Sequence, residues 1–379
     1  MTGRLQYIMG RKMNKKQVTA TDVANAAGVS QAAVSMILNK KYNVSFSRET
    51  IERVEEAARK LGYSMEKKSA RQHTGMKGTI FVICPNLNNP YYGMLIDGVE
   101  QAALKNRFDV FVCQTNRNLH TEEKYLKRLE KLGPSGIIYT CMPAFPQIVN
   151  RMARQIPVVF IGEKNNELLV DSIELDSRKP GSMIARYLLE LGHRKVGYIS
   201  TRVSEKQPAR LRRKEGFTVE FEHAGKDCQV FVKEPEEEQG ISSLQNMDME
   251  FQAGYRLALE LVREVPDITA IAGLNDMIAL GIRDALLQEK YRIPKEISVV
   301  GCDNILASGM RGIDLTTVDH YAGKKGEDAC KLLMEKMERQ KREKSEKVEM
   351  TEHVVHRVEY EPRLIIRGTS SYAIYNSNY

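Results

Sequence analysis

Two four-residue runs, GLND at 273–276 and GCDN at 301–304, each close a short apolar segment with an amide and a carboxylate. PNLNNPYY at 85–92 and GEK at 162–164 stand in the same relation to the apolar runs before them, and add two phenol rings and a further acid. Amides, carboxylates and aromatic faces grouped this way suit the binding of a polar small molecule. Catalysis needs a nucleophile or acid–base group in a defined partnership, and the sequence offers none; nor does it contain a phosphate-cradling GxGxxG or GxxxxGKS/T loop.

A second chemistry is carried by DVANAAGVSQAAVSMILN at 22–39, which reads as a helix, a tight turn and a second helix. Thr19 or Thr21 can cap the first helix, Asp22 favours its dipole, and Val23, Ala26 and Ala27 form its apolar side. Gly28 stands where the chain turns with positive φ, and Ser30 suits the cap of a helix whose Val34, Ile37 and Leu38 recur at helical spacing. That leaves Gln31, Ala32, Ser35 and Met36 facing outward, with Asn39 at the end. Such a helix fits a DNA major groove, where Gln and Asn read adenine and Ala or Met touches a thymine methyl. A plainer reading makes Ala32 and Met36 packing residues of a small core. Ser47 can cap a third helix, with Ile51, Val54, Ala58 and Leu61 as its stripe and Gly62 as its stop.

The polar runs can converge only if the rest of the chain repeats strand, loop and helix. Eight apolar or β-branched runs predict strands: TIFVIC, DVFVCQ, GIIYTC, PVVFIG, KVGYIS, QVFVK, AIAGL and ISVVGC. Helical stripes such as MLIDGVEQAALKN and SMIARYLLELG intervene. The alternation predicts an α/β fold with parallel sheets covered by helices and divided into two lobes. Ligands of such sheets sit outside the carboxyl ends of the strands or between lobes.

A chain of 379 residues is too long for one core, and two or three domains are expected. Its net charge of +8 is unevenly placed: residues 1–75 hold 14 basic against 6 acidic side chains, and the remainder balances. A basic head on a neutral body suits a polyanion-binding module, although a solvated tail gives the same count. The six cysteines, at 84, 113, 141, 228, 302 and 330, lack metal-ligand spacing and read as reduced, buried thiols. No metal or cofactor is expected, and with no long apolar run or secretory signal the reading is a cytoplasmic protein with no membrane partner.

VTATDVANAAGVSQAAVSMILN and VSFSRETIERVEEAARKLGY together resemble the DNA-binding head of the lactose-repressor/galactose-repressor family of bacterial transcriptional regulators, through TxxDVAxxAGVS, VSxxLN and LGY. The resemblance continues in NNPYYGMLIDGVEQAA, LLELGHRKVGYIS, RRKEGF, NDMIALGIRDAL, IPKEISVVGCDN, LTTVDH and PRLIIRGTS, which are similar to the same family's effector domain, a periplasmic-binding-protein-like (type I) fold. It implies a basic extension at 1–17, disordered; a helix-turn-helix DNA-binding domain at 18–63; and a hinge at 64–78. A two-lobed effector-binding and dimerisation domain at 79–371 and a tail at 372–379 follow. Met13 is the expected native start, since it would place the first helix near the terminus as in relatives. The implied protein is not an enzyme but a homodimeric regulator, a repressor, on a pseudo-palindromic double-stranded DNA operator. Its affinity would be set by a sugar or sugar derivative between the lobes.

By the same resemblance, Thr19, Ser30, Ser35, Asn39 and Asn43 hold phosphates, Gln31, Ala32 and Met36 face bases, and Gln72 takes the place of a Leu that wedges into the minor groove. Tyr91 and Tyr92 match cleft-lining positions, Asp276 the hydroxyl-binding Asp, and Arg213 and Arg210 the arginine side of a cleft contact. Each also has a plainer reading, with the tyrosines as lobe core, Asp276 as a helix cap and the arginines as solvated surface. The chain departs from the family where Met36 replaces a common Arg, Ala33 a usual Thr, Gly162-Glu163 an Asp-Arg pair and Glu250 a Gly. The first two departures bear on the operator; the last two, with Glu163 at the effector site, predict a more acidic cleft that admits an amino sugar or another cationic group, the plainer reading being that either glutamate lies on the surface. The competing functions are a Rossmann-type enzyme or a small-molecule receptor without a DNA role.

Overall fold

The structure is a computed structural model that describes residues 18–38, 46–63, 78–202, 207–235, 249–346 and 354–374. The chain divides into two units, Met1–Thr74 and Gly75–Tyr379. Asn39, Asn43 and Gln72, and the expectations for 1–17 and most of 64–78, lie outside the described residues.

In the first unit three helices surround one small core: α1 (Ala20–Ala27), α2 (Gln31–Leu38) and α3 (Arg48–Lys60). Thr19 and Asp22 form a reciprocal capping box at the start of α1, which satisfies two of its unpaired amides, and Gly28 closes the helix at φ 66°. Ser30 Oγ accepts from Ala33 N at 3.2 Å and Ser47 Oγ from Thr50 N at 3.2 Å, so the next two helices start on side-chain caps. Val23, Val34, Ile37 and Val54 are essentially inaccessible at the centre. Ala24 rather than Ala26 faces this core, because Ala24 shares its side of the helix with Ala20 and Ala27. Ala57 likewise joins Val54 and Ala58, while Leu61, past the end of α3, is exposed.

The second unit contains two six-stranded sheets. The first has the order β11-β5-β4-β3-β1-β2, built from β1 (Thr79–Cys84), β2 (Asp109–Gln114), β3 (Gly136–Tyr139), β4 (Val158–Glu163), β5 (Asp171–Leu175) and β11 (Arg357–Glu359), all parallel. The second has the order β12-β10-β9-β8-β6-β7: β6 (Lys195–Ile199), β7 (Gln229–Lys233), β8 (Ala270–Gly273), β9 (Ser298–Cys302), β10 (Thr316–Asp319) and β12 (Arg363–Ile365). It is parallel except for β12. Alternate residues of β1 feed opposite faces of the first sheet. Ile80 and Val82 pack under α4 (Pro90–Lys105) and α11 (Ala322–Glu346), whereas Phe81 and Ile83 pack with α5 (Leu119–Leu132) and α6 (Pro146–Met152). The second sheet is covered by α7 (Arg178–Glu190), α8 (Pro208–Ala224), α9 (Met249–Glu264) and α10 (Asp276–Gln288).

Helices α7 and α8 touch backbone to backbone. A Cβ on Gly181 would lie 2.0 Å from Arg213 O and one on Gly216 2.3 Å from Arg178 O, so only glycine permits the approach. The chain passes between lobes at 176–177, 320–321 and 360–362. Asp176, Ser177, His320 and Tyr360 line one small recess where these crossings gather. The highly charged sequence of α11 from residue 335 onward lies partly inside. Lys336 is buried 3.2 Å from the wholly inaccessible Asp171, and Met337 packs on the sheet, because α11 covers β3, β4 and β5.

Candidate functional site

In each sheet of the second unit the strand order reverses beside the strand that comes first in sequence, at β1/β3 and at β6/β8. Loops leaving the carboxyl ends at such a reversal diverge and leave a crevice. The loops of both lobes face one cavity of about 770 Å³, its open mouth included. A cleft between lobes is where small polar ligands of such folds are held.

The first lobe supplies Asn89, whose Oδ1 accepts from Tyr91 N at 2.9 Å and so caps α4 and orients the tyrosines behind it. The Tyr91 and Tyr92 rings meet edge to face at 5.2 Å, and burial raises both phenol pKa values. Arg117, from the turn after β2, reaches Tyr92 Oη at 3.4 Å. Thr140, Cys141 and Met142 after β3, and Gly162 and Glu163 at the end of β4, complete this wall.

The second lobe supplies Gln207, Arg210 and Arg213 around the start of α8, Leu274 and Asn275 after β8, and Asp303 after β9. Arg213 Nη1 donates to Leu274 O at 2.7 Å and lies 3.5 Å from Asp303 Oδ1. His320, on the second crossing, touches the same oxygen at 2.9 Å through Nε2, and its ring lies 5.0 Å from that of Tyr91. Burial holds the His320 pKa well below its usual value, so the ring is neutral; its Nδ1 faces Lys325 Nζ at 3.3 Å. Burial likewise pushes Asp303 up to about 7, with Arg213 opposing, and draws Lys325 down to about 7. An arginine donor beside a carboxylate acceptor can clasp neighbouring hydroxyls of a polyol.

Tyr91, Tyr92, Glu163, Arg210 and Arg213 therefore all stand in the cavity wall, and Asp276 does not. Asp276 is wholly buried, its Oδ2 taken by Ile305 N and Ser308 Oγ at 3.0 and 2.7 Å and its Oδ1 by Thr317 Oγ1 at 2.5 Å. It braces the turn that presents Asp303. The helix cap is also one residue earlier, where Asn275 Oδ1 accepts from Ile278 N at 3.0 Å. Asn275 and Asp303 are thus the polar groups that GLND and GCDN deliver to the cavity.

The expectation of an acidic cleft is corrected as well. Glu163 Oε1 accepts from Arg212 Nη1 at 2.9 Å and its carboxylate also faces Ser177 N, while burial raises its pKa. Glu250 receives Arg210 Nη2 at 2.6 Å, Asn89 Nδ2 at 2.9 Å and Asn275 Nδ2 at 2.8 Å, and it is not part of the wall. Both glutamates are already paired with internal donors. The wall itself carries three guanidinium groups against two carboxylates.

Cys302, Asp303 and His320 bring three potential ligand atoms within 4.8 Å among the described residues. Arg213 and Lys325 flank them, which opposes a cation there. All six cysteines are free, with Cys141 and Cys228 half-buried and the other four buried. His193 is structural: its ring bridges Thr269 Oγ1 at 2.9 Å and Ser371 O at 3.0 Å, with a pKa lowered by burial to about 4. Among the described residues no helix is long and apolar enough to cross a membrane.

In the first unit, Gln31, Ala32, Ser35 and Met36 lie on the exposed side of α2, opposite Val34 and Ile37. Thr19 and Ser30 are exposed beside them, although the Thr19 hydroxyl is engaged by Asp22 Oδ2 at 2.7 Å.

A family model described as bacterial regulatory proteins, lacI family, matches residues 19–65, and one described as periplasmic binding proteins and sugar binding domain of the LacI family matches residues 77–358. The HTH-type transcriptional repressor PurR of Mannheimia succiniciproducens is 27% identical over 331 residues, covering 84% of this chain and 92% of its own. The crystal structure of a LacI family transcriptional regulator from Silicibacter pomeroyi superposes with a TM-score of 0.66 at 24% identity, over 93% of this chain and 99% of that one. A LacI family regulator from Enterococcus faecium with bound ribose gives 0.64 at 22% identity, over 78% of this chain and 100% of the other. These two structures share the fold.

Proposed function

The chain belongs to the lacI family of bacterial regulatory proteins, and from that premise we propose that it is a sequence-specific transcriptional repressor, one whose operator affinity is set by a small polar molecule held between its lobes. The observation that carries this reading is the cavity in which Arg213 and Asp303 from one lobe face the tyrosines of the other. A molecule that bridges the two walls binds one lobe arrangement better than another, and that differential affinity is what couples it to DNA. The ribose-bound relative supports a carbohydrate or carbohydrate derivative.

The DNA contact falls to the outward face of α2, with Gln31 and Met36 reading base edges and Ser30 and Ser35 at phosphates. Ala32 lies on the same face, and Thr19 at the head of α1 is assigned to a phosphate by the same family match. A homodimer on a pseudo-palindrome fits, because one head of this size covers few base pairs. Genomic-footprint selection with the full-length protein, at two salt concentrations, tests the proposal. Tight binding to one pseudo-palindrome, modulated by a cavity ligand, is expected; sequence-blind binding with and without ligand would remove it.

A further inference from the structure

The proposed effector site treats its three wall arginines unequally. Arg210 has Glu250 at 2.6 Å, and Arg213 has Asp303 at 3.5 Å. Arg117, an exposed residue, has no carboxylate within 4.0 Å among the described residues; its side chain donates to the phenol of Tyr92, and Glu250 acts on it only from farther off. The backbone that carries it is fixed. Asn116 and Arg117 both adopt left-handed conformations, at φ 52° and 54°, which non-glycine residues rarely take in succession. Asn116 N donates to Pro85 O at 2.7 Å, Thr115 N to Cys84 O at 2.9 Å, and Arg117 N to Thr115 Oγ1 at 3.3 Å, so the turn is fastened to the end of β1.

We infer that the effector carries an acid group, carboxylate or phosphate, and that Arg117 receives it while Arg213 and Asp303 hold its hydroxyls. The inference rests on the reading of this cavity as the effector site. A guanidinium presents a rigid fork of donors that matches either acid with two parallel bonds. With one of its five N–H groups directed to Tyr92, Arg117 retains enough for that fork, and the phenol beside it is a further donor. Glu163, the acid of the same lobe, already holds Arg212 and cannot neutralise it.

The test is calorimetric titration of the full-length protein with matched probes: glucose, gluconate, glucose 6-phosphate and glucosamine, then the ribose series. In at least one series an acidic member is expected to bind at least about tenfold tighter than its neutral parent. Arg117→Gln should erase that preference, and Arg117→Lys should restore part of it, with unchanged melting of the ligand-free variants as the check on folding. Gluconate and the phosphates separate the two acids. A neutral or amino sugar that binds as tightly as any acid, acid binding untouched by Arg117→Gln, or no acid binding at millimolar concentration would each overturn the inference. Operator selection is measured separately, so the regulator reading stands or falls on its own result.

Discussion

Asn89 Nδ2 donates to Glu250 Oε2 across 2.9 Å, and the bond spans the cleft, from the cap of α4 in the first lobe to the first turn of α9 in the second. The same carboxylate holds Arg210 and Asn275, so one acid gathers donors from both lobes. Glu250→Ala strands a largely buried guanidinium and two amides together. We expect a loss of about 1–3 kcal/mol in urea denaturation and weaker ligand binding. A variant as stable as the parent would mean that water replaces the carboxylate without cost.

Asp303 gives the protein a signed pH dependence. Its pKa rises from 3.8 to about 7 through burial, faced by Arg213, Arg210, Lys325 and Glu250. Between those values the folded state holds more protons than the unfolded chain, so this group's contribution to stability is present in acid and is lost as pH rises through about 7. Asp303→Asn lacks the titration. Its stability relative to the parent should therefore improve from pH 5 to pH 8, measured by denaturant titration at each pH; a gap that does not move would show that the carboxyl titrates alike in both states.

Gly181→Ala should reach the cavity from outside it. The new methyl would meet Arg213 O at 2.0 Å and push α8 outward. Overpacking of this kind costs about 1–3 kcal/mol. Because the displaced residue carries the cavity guanidinium, ligand affinity should fall further than the melting temperature alone implies. Titration at a temperature where the variant remains folded distinguishes the two effects.

On the DNA-binding head, Gln31 and Val34 make opposite predictions although they are one turn apart. Gln31 is exposed and Val34 is inaccessible. Gln31→Ala should leave thermal melting unchanged and cost about 1–3 kcal/mol in operator affinity by fluorescence anisotropy. Val34→Ala should destabilise the head by about 1–2 kcal/mol through the vacated volume.

The strands that the sequence reveals are those whose residues are apolar on both faces, such as TIFVIC in β1. Those it conceals are β5, DSIEL, and β10, TTVD, where polar side chains lie buried in internal bonds, and the three-residue β11 and β12, whose pairing depends on the rest of the chain. Tyr91, Tyr92, Arg210 and Arg213 could be found because their neighbours resemble family motifs. Asp276 misleads by a single position, since a helix boundary decides which of Asn275 and Asp276 looks outward. Arg117 carries no motif, yet it lies in the turn after β2, where the rule about carboxyl ends of strands would have flagged it.

The three passages of chain between the lobes gather in one place, with Tyr321 and Tyr360 of two of them in ring contact at 5.9 Å. Three tethers fixed side by side suppress sliding and spinning of one body against the other, and leave bending as the inexpensive degree of freedom. His320 belongs to one of these tethers and touches Asp303 directly. Any change in how Asp303 is occupied is therefore felt within the bending axis itself, with no intervening relay.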